Sequence, residues 1–162
     1  PPPPPPSPPL IPNTTLFRSC DSIENYCTEP TTELLEYIKR DVLNVVMGNK
    51  DNHGRNTALM RQQSGHVALA PLFDFAPMYL DPEGIARVCR WSDGRETAGD
   101  PEWARVLEHF GERGDTLRDA LRAFGQRLEP LAELMRDCGV DDDIVEQRSR
   151  SIQKHITQLL AL

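Results

Sequence analysis

The sequence predicts a mainly α-helical domain with one small β-hairpin, an α+β fold. Apolar residues recur at helical spacing over residues 31–47 and again over most of 100–162. Two short β-prone runs flank a Gly-containing turn at Gln62–Gly65. The length of 162 residues, with 38% hydrophobic and 27% charged residues, is typical of one soluble globular domain.

The first thirty residues are predicted to form a Pro-rich and irregular segment before the domain. Prolines occupy all but one of the first nine positions, which favours polyproline II over residues 1–12. Such a run could bind an aromatic groove of the SH3 or WW kind. Nothing basic flanks it, so a tail without a binding role is the favoured interpretation. Residues 13–30 are polar and expected to be irregular, which assigns residues 31–162 to the domain.

A long helix is predicted to begin at Thr31 or Thr32, which are suitable N-caps with Glu33 in the first turn. Its apolar face comprises Leu34, Leu35, Ile38, Val42, Val45 and Val46. Gly48 is expected to end it, as glycine often does just past a helix C-terminus. The helix therefore leads directly into the segment that starts at Gly48.

The β-hairpin is predicted from Thr57–Arg61 and His66–Ala70, with Pro71 ending the second strand. A long connection should follow, because turn-forming residues recur at Pro77, Asp81, Pro82, Gly84 and on to Gly99.

The rest of the chain is predicted to be helical. We expect helices that begin at Asp100 with Pro101 in the first turn, at Asp115 with an end at Gly125, at Pro130 with an end at Gly139, and at Asp142 or Asp143. Trp91 and Trp103 are assigned to the core. His66, His109 and His155 show no ligand spacing and are expected to be ordinary surface or strand residues.

Composition argues against several classes of function. A net charge of −7 and a pI of about 5.1 disfavour direct binding to nucleic acid or to an anionic membrane. No apolar run reaches the roughly 18 residues of a membrane span, and no signal peptide is evident. The four cysteines lack metal-site spacing, and no HExxH motif occurs, which disfavours a zinc or thiol enzyme. We expect reduced, structural cysteines in a cytoplasmic protein.

The stretch Gly48–Asn56 carries the strongest functional signal. Asn56 follows Asp51 by five positions, and Asp74 follows the predicted hairpin. In a kinase catalytic loop, an Asp at the first of these positions accepts the substrate hydroxyl proton, and the Asn ligates Mg²⁺. A second metal-binding Asp follows later in such enzymes. The spacing therefore predicts phosphoryl transfer, with Asp51 catalytic and Asn56 and Asp74 as metal ligands.

Two further loop residues are candidate cofactor-binding residues. His53 could act as a general base, but the kinase-loop interpretation favours a role in orienting the loop by hydrogen bonds. Arg55 could contact a phosphate, pair with Asp51, or remain a solvated charge. Asp74 lies within the apolar run Leu72–Ala76, where a buried carboxylate would need a partner such as a metal.

The motifs Gly48–Asn56 and Leu69–Asp74 resemble the C-terminal domain of HipA-family kinases, the toxin halves of bacterial type II toxin–antitoxin pairs. The family's loop runs Gly-Asn-x-Asp-x-His-x-Lys-Asn, and its metal Asp follows Leu-x-Pro-x-Tyr-Asp. This chain has Arg55 at the loop Lys and Phe73 at the Tyr. The resemblance is strong from about residue 31 to residue 91 and general beyond.

The resemblance implies the C-terminal lobe of a protein-kinase-like fold, and a serine/threonine kinase that uses ATP and Mg²⁺. It implies a protein substrate, with an aminoacyl-tRNA synthetase among the family's targets, and a DNA-binding antitoxin as partner. The family's N-terminal lobe, which holds ATP, has no counterpart in these 162 residues. That leaves open whether the chain is active alone. The alternatives are an inactive kinase-like lobe that acts as an interaction or regulatory module, and a lipid or small-molecule kinase.

Overall fold

The structure, a computed structural model, describes residues 15–76, 78–80, 86–92 and 94–162. Within them the helices are α1 (Phe17–Tyr26), α2 (Pro30–Met47), α3 (Trp103–Glu108), α4 (Glu112–Leu128), α5 (Leu131–Asp137) and α6 (Asp142–Leu160). The strands are β1 (Leu59–Arg61), β2 (Val67–Leu69), β3 (Glu96–Thr97) and β4 (Asp100–Pro101). The predicted α+β class is confirmed. The polyproline expectation for residues 1–12 and the turn signals at Pro77, Asp81, Pro82 and Gly84 lie outside the described residues.

Helix α2 lies at the centre of the core. It begins at Pro30, just before the predicted caps, because proline fits the first turn of a helix, where no backbone N–H is needed. Its buried face packs against α1, α4 and α6. Gly48 ends it in the left-handed region at φ 75°, a conformation that costs glycine little. The predicted delivery of the chain into the loop after Gly48 is confirmed.

Helix α1 was not expected, and the prediction of irregular structure over residues 17–26 is wrong. Phe17, Cys20 and Ile23 are buried on one face of α1, which packs against α2. These three residues recur every third position, but the segment is short and otherwise polar, so the periodic signal is weak. Tertiary packing against α2 stabilises a helix that its own sequence barely indicates. Whether a domain boundary falls at residue 31 stays a prediction.

The predicted hairpin is confirmed as β1 and β2, paired antiparallel with Leu59 opposite Leu69. Gly65 occupies its turn with a φ of 89°. Two side chains of α2 hold the hairpin in place. Glu33 Oε2 accepts the Leu69 N–H at 2.8 Å, and Arg40 Nη1 donates to the Ala70 carbonyl at 2.8 Å.

A second hairpin replaces the predicted helix start at Asp100 and Pro101. These residues form β4, which pairs with β3, and the helix begins two residues later, at Trp103. The turn between the strands places Ala98 and Gly99 in the left-handed region, at φ 53° and 86°. A Pro-Glu pair after Asp suits a helix start equally well, so the local signal did not distinguish the two structures.

The C-terminal helices pack across one another, with α4 and α5 both against α6. Helix α4 continues through Gly125, where the sequence predicted an end. The reason is packing: a Cβ at this position would lie 2.8 Å from the Cβ of Leu159 on α6. Glycine here permits a close helix crossing rather than a helix end. The predicted starts of α5 and α6 are confirmed to within one residue.

His155 is a core residue, so its prediction as a surface or strand residue is wrong. Its Nδ1 accepts the Trp103 indole N–H at 3.0 Å, and its Nε2 lies 2.7 Å from Asp100 Oδ1. Burial lowers the pKa of His155 below 6.5, which keeps the ring neutral at pH 7. Trp91 and Trp103 are buried as expected. The four cysteines all lie in the described ranges, and none forms a disulfide. No helix in those ranges is long and apolar enough to span a membrane.

Candidate active site

The loop after α2 is held at its start by paired asparagine side chains. Asn49 Nδ2 donates to Asn44 Oδ1, one turn from the end of α2, at 2.9 Å. Asn49 Oδ1 in turn accepts the backbone N–H of Asp51 at 3.2 Å. The position of Asp51 is therefore fixed relative to the rigid helix.

Asp51, His53 and Asn56 form one compact unit. The short 3₁₀ turn Gly54–Asn56 brings Asn56 back, so that its Nδ2 donates to the Asp51 carbonyl at 2.8 Å. His53 Nε2 lies 3.3 Å from Asp51 Oδ1. The structure thus gives the contact with Asp51 to His53 rather than to Arg55, which is exposed in the 3₁₀ turn. An orienting role for His53 stays a prediction.

Asp74 lies at the same pocket as Asp51 and Asn56. The hairpin returns the chain to the loop, and Asp74 then adopts a left-handed backbone at φ 54°. Non-glycine residues in that region are uncommon and cluster at functional sites, because the strain of about 1–3 kcal/mol must be sustained by the surroundings. Asp74 is exposed, and so are Leu72 and Phe73 at 42% and 43%. The expectation that Asp74 is buried in an apolar run is therefore wrong.

The donor set at this pocket fits a magnesium ion. Asn56 Nδ2 donates a hydrogen bond to the Asp51 carbonyl, so the Oδ1 of the same side-chain amide is the atom that could bind a cation. The Asp74 carboxylate supplies the second hard oxygen. Within the described ranges there is no cluster of three or more His, Cys, Asp or Glu side chains that could hold a metal ion. Mg²⁺ needs no such cluster, because it commonly takes one or two carboxylates, waters and substrate phosphates.

The pocket itself is small, with a cavity volume of about 30 Å³. By the measure of about 10–15 Å³ for one water, the enclosed part of the pocket has room for an ion and its immediate ligands. Two residues that line the pocket each have a buried side-chain atom without a hydrogen-bond partner in the part of the chain that the structure describes. These atoms are His53 Nδ1 and Asn52 Oδ1. A buried polar atom of this kind suits a ligand or water at the site.

The other side of the loop is fixed by a buried charge network that the sequence analysis missed. Asp41 of α2 is buried, and its Oδ2 accepts hydrogen bonds from Arg87 Nη2 at 2.6 Å and from Trp91 Nε1 at 2.7 Å. Its Oδ1 accepts the side-chain amide of Asn52 at 3.2 Å. Asn52 also donates to the Cys89 carbonyl at 3.0 Å. The network therefore connects α2, the loop and the segment 86–92.

Charges in the network affect one another strongly. Burial acts to lower the pKa of Arg87, but the neighbouring carboxylates of Asp41 and Glu96 outweigh it and raise the pKa. Burial raises the pKa of Glu96, whose Oε2 accepts a hydrogen bond from the backbone N–H of Trp91 at 3.0 Å. The sequence held one signal for this network: Asp41 lies on the apolar face of α2, between Ile38 and Val45. A carboxylate at such a position needs a partner.

The arrangement of the helix, the loop and the hairpin is typical of kinase-like proteins. A long buried helix leads into an Asp–Asn loop, and a hairpin returns a second Asp to the same pocket. The chain belongs to the family described as the HipA-like C-terminal domain, whose family model matches residues 14–150. That family is related to kinases and to toxins. A search of curated proteins found no match.

Proposed function

We propose that this chain is the catalytic lobe of a serine/threonine kinase that serves as the toxin of a toxin–antitoxin pair. One observation carries the proposal: Asp51, Asn56 and Asp74 lie at one pocket, with the Asn56 amide nitrogen bonded to the Asp51 carbonyl. That bond supports a role for the Asn56 oxygen toward a metal and for the Asp51 carboxylate toward a substrate.

Each residue has a distinct role in the proposed reaction. Asp51 accepts the proton that a serine or threonine hydroxyl loses as its oxygen bonds to phosphorus. His53 orients the Asp51 carboxylate through the 3.3 Å contact. Asn56 and Asp74 would hold Mg²⁺, and Arg55, exposed beside Asn56, would meet phosphate oxygens. Bound Mg²⁺ and ATP would supply the phosphoryl group and neutralise its charge.

The proposed partners follow from family membership. They are a protein substrate, of which an aminoacyl-tRNA synthetase is one candidate, and a DNA-binding antitoxin, in the cytoplasm. The proposal includes no direct contact with nucleic acid or membrane, in keeping with the net charge of −7.

The test is transfer of labelled γ-phosphate from ATP to protein by the chain with Mg²⁺. Removing a general base costs about 10²–10⁴ in rate, so Asp51→Asn should reduce transfer by that factor. Asp137→Asn is the matched control, because Asp137 is exposed at the end of α5. Equal transfer by Asp51→Asn and Asp137→Asn would remove Asp51 from the chemistry. If lipids or small molecules are labelled instead of protein, the chain is a lipid or small-molecule kinase rather than a protein kinase.

A second candidate function is a kinase-like lobe that acts as a protein-interaction module. The observation that favours it is that two apolar side chains lining the pocket, Leu72 and Phe73, are exposed at 42% and 43%. Exposed apolar patches commonly mark protein-binding surfaces. Under this candidate, changes at Asp51, Asn56 and Asp74 leave the biological effect of the chain intact, whereas Phe73→Ser abolishes it.

A further inference from the structure

A second cavity lies on the other side of the Gly48–Asn56 loop. Its volume is about 450 Å³, within the range of small-ligand sites. Asn44 and Asn49 line both cavities, while Lys50 faces the second and its neighbour Asp51 faces the first. The loop therefore forms a wall shared by the two cavities.

The lining of this cavity is strongly basic in a chain whose net charge is −7. Among the described residues that line it, the cationic side chains are Lys50, Arg87, Arg90, Arg148, Arg150 and Lys154, and Asp100 is the one carboxylate. The pKa of His155, which also lines the cavity, is lowered by burial, so the ring adds no charge at pH 7. Concentrating cations in a concave site raises the local potential for an anion.

Some of these cations are already engaged by the protein. Lys154 pairs with Asp100, and Arg148 donates to the carbonyls of Val45 and Val46 at the end of α2. Arg87 pairs with Asp41, yet its Nη1 is buried with no acceptor among the described residues.

Two cations are less constrained. Along the stretches that the structure describes, no carboxylate pairs with Lys50, which is half-buried, or with Arg150, which is exposed on α6. Together with the unsatisfied edge of Arg87, they supply donors for an anionic group that enters the cavity. Guanidinium and ammonium groups bind phosphate oxygens with strong, charge-assisted hydrogen bonds.

We propose that this cavity binds a phosphate monoester, with a phosphorylated side chain of a protein as the source. A dianion with three terminal oxygens suits several converging cations better than one carboxylate does. A nucleic-acid strand fits less well, because it needs a basic track along the surface and would be repelled by the acidic remainder of the chain. A free phosphate ester shares the chemistry and is separated from a phosphorylated side chain by the experiment.

The test is calorimetric titration of the chain, without ATP or Mg²⁺, using four probes. They are a phosphoserine peptide, the same peptide with serine, inorganic phosphate and a single-stranded oligonucleotide. We expect the phosphoserine peptide to bind and the serine peptide not to bind. Lys50→Gln with Arg150→Gln should weaken phosphopeptide binding about tenfold or more, because two charge-assisted contacts are lost. Arg127→Gln, an equivalent change at an exposed site on α4, should have no effect.

Each outcome decides the question. If inorganic phosphate binds as tightly as the phosphopeptide, and if its binding depends equally on Lys50 and Arg150, the ligand is a free phosphate rather than a phosphorylated side chain. Tighter binding of the oligonucleotide, equal binding of the serine peptide, unchanged binding by the double variant, or no binding of any probe overturns the proposal. If the double variant fails to fold by circular dichroism, Arg150→Gln alone serves, because Arg150 is exposed. The titration needs no phosphoryl transfer, so its failure leaves the proposed kinase function untouched.

Discussion

Replacing Asp41 by alanine tests whether the buried charge network holds the Gly48–Asn56 loop in place. The substitution removes the acceptor for Arg87 Nη2, Trp91 Nε1 and the Asn52 amide at once. Arg87 would remain buried, and among the described residues its remaining ion pair would be the one between its Nε and Glu96 Oε2, at 3.6 Å. The loop would lose the contact that ties Asn52 to helix α2.

The expected cost follows from breaking a buried ion pair by removing one partner, which is about 3–5 kcal/mol. For a domain of this size, 1 kcal/mol shifts the thermal midpoint by about 2–4 °C, so the midpoint should fall by about 6–20 °C. Urea unfolding followed by circular dichroism measures the free energy directly. The loss is a large fraction of the roughly 5–15 kcal/mol that stabilises a typical domain.

Asp119→Ala is the matched control for this experiment. Asp119 is exposed on α4 and pairs with Arg122 at 2.7 Å. Surface ion pairs contribute about 0–1 kcal/mol, so this variant should stay close to the wild type. If Asp41→Ala loses no more stability than Asp119→Ala, the network does not hold the loop and the reasoning is refuted.

Three other changes have defined outcomes. Because the folded-state pKa of His155 lies below the unfolded value of 6.5, the unfolded chain binds the extra proton as pH falls below 6.5. Stability should therefore decrease below that pH by at most about 1.4 kcal/mol per pH unit in urea titrations. Gly125→Ala should cost about 1–3 kcal/mol in the same assay, because its Cβ would lie 2.8 Å from the Cβ of Leu159. Asn56→Ala should abolish phosphoryl transfer while costing only about 1 kcal/mol of stability, as one hydrogen bond is lost.

Each of these outcomes has a control. His155→Gln should flatten the pH dependence below 6.5, and a slope that persists in this variant assigns the titration to another group. Gly54→Ala should be nearly neutral in stability, because a Cβ at this position would meet no atom within 4 Å and the φ of Gly54 is not positive. Transfer by Asn56→Ala at the wild-type rate would exclude Asn56 from the proposed site.

The local signals in the sequence were sufficient for α2, the loop and the first hairpin. Gly48 lies at the end of α2 and Gly65 in the hairpin turn, and both positions have a positive φ. Because glycine adopts a positive φ readily, the residue type alone indicates such a position. The spacing of Asp51, Asn56 and Asp74 likewise predicted residues that the fold brings to one pocket. These features depend on short-range chemistry.

Features that depend on distant partners were missed. Helix α1 forms because Phe17, Cys20 and Ile23 pack against α2. The hydrogen-bond partners of Asp41 come from positions up to 50 residues away in the sequence. His155 is buried because Trp103 and Asp100 reach it from another part of the chain. A single sequence does not reveal such pairings, although a carboxylate on an apolar helix face does indicate that a partner exists.

The proposed metal–nucleotide site is tested most directly by the thermal midpoint of this chain with and without Mg²⁺ and ATP, measured beside Asp74→Asn and Asp137→Asn. A ligand present at 100 times its Kd stabilises the folded state by about 2.7 kcal/mol, which corresponds to roughly 5–11 °C here. We expect this shift for the wild type and for Asp137→Asn, and we expect Asp74→Asn to lose it. The same shift in Asp74→Asn, or no shift in the wild type, would contradict a metal–nucleotide site at Asp51, Asn56 and Asp74.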